Sequence, residues 1–205
     1  MNLSLLYWAA KESGDPRFRH IATAHADTAL KHFVRLDGSV NHIVCFDPKS
    51  GEPVRVLGGQ GYGPDSAWSR GQAWALYGMA NIYQFTREER FLQAAQRVAH
   101  HFVAALPEDH VPYWDFRLPR TDGEPRDSSA AAIAASGLLE LVKLTAPGAA
   151  QLYANAAGRI LSSLTHNYAA WNRPGCHAIL TGGTGHKPEN SNINVSLILC
   201  LSYLR

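Results

Sequence analysis

Apolar positions recur along most of this chain at the three- and four-residue spacing of amphipathic helices. Leu3, Leu6 and Ala10 share one face of a first helix that Gly14-Asp15-Pro16 ends, with Asn2 as its weak cap. A second helix runs from Pro16 to about Val34, with Phe18, Ile21, Ala22, Ala29 and Phe33 on its inner face. Residues 35–63 change character. Two short β-type runs, Asn41–Phe46 and Pro53–Leu57, flank the turn residues Asp47-Pro48-Lys49-Ser50-Gly51 and predict a hairpin-like insertion near residues 39–57. Helical spacing resumes from about Asp65 to Phe85 and from Glu88 to Leu106. After a loop over 107–126 it continues from Asp127 to Leu144 and from Pro147 to Thr165. A Gly-rich stretch holding Gly182-Gly183-Thr184-Gly185 precedes a last short helix expected over Ile193–Leu204.

The pattern repeats. In three helix pairs the second helix carries an aromatic followed closely by small residues: Phe18 with Ile21-Ala22, Phe91 with Ala94-Ala95, and Tyr153 with Ala156-Ala157. Alanine lets helices approach and the aromatic fills the gap beside it. Repeated helical hairpins predict an all-α toroid or solenoid of about seven helices, incomplete because such units cannot bury both faces alone. An exposed apolar flank is therefore expected, and with it self-association or partial unfolding.

A formal charge of +2 with no Lys/Arg run gives no nucleic-acid surface. No apolar run reaches bilayer length, so no membrane span is expected. The opening MNLSLLYWAAKESGDP has neither a basic start nor a cleavage site and does not read as a signal peptide. Cys45, Cys176 and Cys200 are odd in number and widely spaced. They read as free thiols in the cytoplasm. The ten histidines form no metal-ligand pattern, and no cofactor is implied.

Chemistry concentrates in QGYGPDSAWSRGQAW, residues 60–74, which puts two Trp, an Arg and two Gln around a predicted helix start. Asp65 reads first as the cap of that helix. Arg70 lies one turn before Trp74 on the same face. It suits either a clamp for a ring that bears a carboxylate, or a buried salt bridge beside packed indoles. His42, in the β-type insertion, reads as a hydrogen-bonded structural histidine on its own. Asp115 is ambiguous, and Asp127, before Ser128-Ser129, reads as a helix cap. Asn190-Ser191-Asn192 reads as a cap and loop before the last helix. No carboxylate pair for ordinary glycoside hydrolysis can be assigned.

The segments QGYGPDSAWSRGQAWALYG, PYWDF and EPRDSSAAAIAASGLLEL closely resemble the unsaturated glucuronyl hydrolases of glycoside hydrolase family 88, and more distantly the unsaturated rhamnogalacturonyl hydrolases. With MNLSLLYWAAKESGDPRFRH and SVNHIV, the likeness runs through nearly the whole chain. It implies part of an (α/α)6 barrel of twelve helices, here a single partial domain over 1–205 that lacks the first helices. The implied substrate is an oligosaccharide left by a polysaccharide lyase, with a 4,5-unsaturated uronic acid at its non-reducing end. An Asp protonates the C4=C5 double bond, water adds at C5, and the resulting hemiketal opens. By the resemblance, His42, Gln60, Trp68, Arg70 and Trp74 contact substrate. The Trp pair holds the ring, with Arg70 and His42 near the carboxylate and the water path. Both essential Asp residues would precede Met1, so the chain is expected to be inactive alone. It would then serve as a sugar-binding or assembly module, perform as a helical scaffold, or require a complementing N-terminal half.

Overall fold

The computed structural model describes residues 2–197 and contains six α-helices and one two-stranded sheet among them. Helices α1 (Leu3–Ser13) and α2 (Pro16–His32) form the first hairpin. Strands β1 (Ile43–Phe46) and β2 (Pro53–Leu57) follow. Helices α3 (Ser69–Thr86) with α4 (Glu89–Ala104) and α5 (Ser128–Leu144) with α6 (Pro147–Ser163) form the second and third hairpins. A π-helical turn, Leu164–Tyr168, extends α6.

Local chemistry explains most boundaries. Gly14 takes the left-handed conformation (φ 70°) and ends α1 by donating its N–H to the Ala10 carbonyl. Asp15 caps α2 by accepting from the Arg17 amide, with Pro16 at the first helical position. Asp127 caps α5 through the Ser129 and Ala130 amides, a device worth about 1 kcal/mol. The strands pair antiparallel, with a bulge between Cys45 and Phe46.

Helices α1, α3 and α5 lie side by side as one layer, with α3 packed most extensively on α5. Gly137 makes that closeness possible, since a Cβ there would sit 2.8 Å from Leu76 Cγ and 3.1 Å from the Tyr77 backbone. The outer helices are bridged by polar side chains. Arg90 on α4 pairs with Asp27 on α2 at 2.8 Å, and His100 on α4 meets the Tyr153 hydroxyl on α6 at 3.1 Å. The repeat places Phe91, Ala94 and Ala95, and equally Tyr153 and Ala157, in a continuous core. Its first copy is less covered: Ala22 is buried, but Ile21 is 55% exposed, beside Leu5 at 63% and Trp8 at 57%. These three exposed apolar side chains lie on α1 and α2. No helix among the described residues is long and apolar enough to cross a membrane.

Two expectations are corrected. Helix α3 starts at Ser69 rather than Asp65, so Asp65 is an exposed turn residue and caps nothing. The buried Asp115 carboxylate accepts from the Tyr62 and Ala67 amides at 3.0 and 3.1 Å, and this commits residues 62–67 to a loop. Of the last predicted helix, residues 193–197 are not helical, with Asn194 in a bend at positive φ and Val195 bridged to Gly183, and the remainder lies outside the described residues. The Asn190-Ser191-Asn192 stretch is a turn in which both asparagines have positive φ.

Candidate functional site

Four of the five residues singled out by sequence meet directly where the loop over 58–68 enters α3. His42 Nδ1 lies 2.9 Å from the Gly58 carbonyl and 3.0 Å from the Gln60 amide nitrogen, and the tautomer decides which it serves. The imidazole tilts against the Trp68 ring with centroids 4.3 Å apart. The Arg70 guanidinium carbon lies over that same indole, 4.8 Å from its centroid. Gln60 Nε2 donates to the Gly185 carbonyl at 2.7 Å, and Arg70 Nη2 donates to the same oxygen at 2.7 Å.

The indole under Arg70 is Trp68, whereas helical spacing had pointed to Trp74. Side chains in a helix's first turn lean back toward its N-terminus, so Arg70 covers the residue before the helix rather than the one a turn ahead. Trp74 joins the site as a wall of a shared cavity. With His42 and Trp68 it lines a cavity of about 240 Å³ that continues down between α2 and α3 past Phe33, Val40 and Met79. Among the described residues, no Asp or Glu lines this cavity.

Arg70 is only 2% exposed. Its Nη1 converges on Asp127 Oδ2 at 3.0 Å, Ser129 Oγ at 3.0 Å and the Thr184 carbonyl at 2.9 Å. The buried salt bridge and the indole stack therefore occur together, with the cation sealed behind Trp68. Burial pushes the Asp127 carboxyl above the usual carboxylate range, opposed by Arg70 and the Ser129 hydroxyl. Asp115 is buried too, and it accepts from the Arg117 amide at 2.8 Å as well as from Tyr62 and Ala67. Gly61 is needed beside it, because a Cβ there would lie 2.6 Å from Ser66 Oγ and 3.0 Å from Asp115 Oδ2. Asp115 and the 183–185 loop went unassigned in the sequence because their roles arise only from contacts between distant segments.

Burial holds the His42 imidazole below its ordinary value, helped by nearby His186 and Arg70 and opposed by the Gly58 carbonyl. A folded pKa below the unfolded one means that the neutral ring stabilises the fold. That contribution is complete above about pH 6.5 and is lost as pH falls through the depressed folded value. Burial gives His101 the same sign. The urea midpoint should therefore drop between about pH 7.5 and about pH 5.5, and less steeply in His42→Asn. Parallel profiles for the two proteins would remove His42 as a source of the effect.

No family model matches the chain. The unsaturated chondroitin disaccharide hydrolase of Streptococcus pyogenes serotype M1 is 39% identical over 186 residues, covering 89% of this chain and 46% of that protein. The unsaturated glucuronyl hydrolase of Bacillus sp. (strain GL1) is 41% identical over 171 residues, 82% of this chain and 45% of that protein. The crystal structure of the Bacillus sp. GL1 enzyme, described as responsible for the degradation of glycosaminoglycan, superposes with a TM-score of 0.89 at 37% identity. That match covers 95% of this chain and 52% of the enzyme. This chain thus spans about half the length of the curated relatives it matches. The three hairpins fit the (α/α)6 fold of these neighbours. In sequence and in fold, the chain belongs to the unsaturated glucuronyl hydrolases of glycoside hydrolase family 88, over the half of their length that it spans.

Proposed function

We propose that this chain carries a docking face for the 4,5-unsaturated uronic acid at the non-reducing end of a lyase-generated oligosaccharide, and that its 205 residues alone do not hydrolyse it. The observation that carries this reading is the cavity shared by His42, Trp68 and Trp74, with Gln60 held beside it. A flattened unsaturated ring has an apolar face that suits an indole. The carboxylate on that ring needs donors, and the His42 imidazole and the second Gln60 amide hydrogen can supply them. Arg70, sealed behind Trp68, supports that indole from its far side rather than touching sugar. The names of the relatives make a chondroitin-type disaccharide the first probe.

Calorimetry with an unsaturated chondroitin disaccharide should show binding that weakens by about tenfold or more in Trp74→Ala. Absence of binding, or affinity untouched by that change, would reject the docking face in favour of a packing role for both Trp residues. We assign the exposed Leu5, Trp8 and Ile21 flank as the surface on which further helices, from a second copy or a complementing chain, would close the ring.

A further inference from the structure

We propose that Asp127, beyond capping α5, is the positioning residue of the docking face, acting through Arg70 on the strap formed by residues 182–185. The inference rests on the docking reading above only for its effect on affinity. Three segments distant in sequence meet at this one buried carboxylate. Oδ1 accepts from the Ser129 and Ala130 amides of α5, from the Ser129 hydroxyl at 2.5 Å, and from the Thr184 amide at 3.4 Å. Oδ2 accepts from Arg70 of α3. Arg70 in turn grips the strap by two successive carbonyls, Thr184 and Gly185.

The Gly185 carbonyl ties this cluster to the docking face, because it also accepts from the Gln60 carboxamide. The orientation of Gln60 therefore depends on where Arg70 holds that oxygen. The Trp68 ring, lying against the same guanidinium, depends on it too. Burial makes the arrangement stiff. With Arg70, Asp127 and Thr184 all shut from solvent, water cannot replace a lost partner, and a missing bond frees the strap rather than being made good. The strap has its own ties at each end, Gly182 to the Ser128 amide and Gly185 to Asn192, so its release should stay local.

Asp127→Asn separates the two roles. Asn keeps an oxygen for the α5 cap, where it is as effective as Asp, but presents an amide where Arg70 needs an acceptor. Amide hydrogen exchange at Thr184, Gly185 and His186 should quicken by about tenfold or more, while the amides of Ile133–Leu141 within α5 stay within about threefold of the parent. Affinity for the unsaturated chondroitin disaccharide should fall by a similar factor. Unchanged exchange in the strap would overturn the proposal. So would faster exchange spread along α5, the mark of a cap alone, or a freed strap with affinity unaltered. If the parent chain does not bind the disaccharide, the docking reading fails while strap exchange still decides the role of Asp127. Should D127N not fold, Ser129→Ala removes the hydroxyl between Asp127 and Arg70. It should quicken the same strap amides by about threefold, and no change there would be equally fatal.

Discussion

Mixed with an unsaturated uronyl disaccharide, the 205-residue chain should leave the ultraviolet absorbance of the C4=C5 double bond undiminished over the buffer control. Hydration of that bond by the family route needs a carboxylic acid that still holds its proton near neutral pH and faces the ring. Among the described residues, no carboxylate lines the cavity formed by His42, Trp68 and Trp74. Asp115 spends its oxygens on three backbone amides, and Asp127 is sealed against Arg70. Asp65 stands exposed on the loop surface. Met1 and residues 198–205 contain no Asp or Glu side chain. His25 and His42 are the ionisable groups on that cavity wall, and burial holds the His42 imidazole below its ordinary value, which disfavours its acid form. A positioned general acid contributes about 10²–10⁴-fold to such a step, so its absence should read as no turnover. Steady loss of absorbance that scales with protein concentration would show that one of these acids reaches substrate after all.

How much of this could be read from sequence varies with how local the cause is. The three hairpins were legible because helical periodicity, Gly14, Pro16 and the alanine-flanked aromatics act within a turn or two of themselves. The Asp127 cap was legible for the same reason, since the amides that donate to it lie two and three residues on. Asp65 had the same local appearance and failed. The amides of its loop answer to Asp115, 53 residues beyond Tyr62, and no local rule registers that contact. The π-helical turn after Ser163 was missed where Leu164–Tyr168 continues the helical pattern with a wider winding. Within the site, the residue types were recognisable and their partners were not. The alternatives for Arg70, clamp or internal salt bridge, stayed open in the sequence. Asp127 lies 57 residues away, and the strap that completes the cage lies more than a hundred.

That cage makes Arg70→Leu the most damaging single change expected in the described fold. The substitution strands Asp127, fully buried, with the Ser129 and backbone donors but no counter-charge. Breaking a buried ion pair from one side costs about 3–5 kcal/mol. A chain of ordinary stability has about 5–15 kcal/mol in total, so the variant should melt about 10 °C lower. Burial already holds the Asp127 carboxyl above its usual range while Arg70 opposes the shift, and removing Arg70 should raise it further. A carboxyl whose folded pKa exceeds its unfolded one binds its proton more tightly in the fold, so the variant regains stability as pH falls and loses it as pH rises. Its deficit against the parent should therefore shrink between about pH 7 and about pH 5. The double change Arg70→Leu with Asp127→Asn leaves no buried charge, and it should recover to within about 2 kcal/mol of the parent in urea unfolding at pH 7. A single variant that loses less than about 1 kcal/mol, or a double variant as weak as the sum of its parts, would mean that water reaches this carboxylate. In that case the geometry of the strap would not depend on the pair at all.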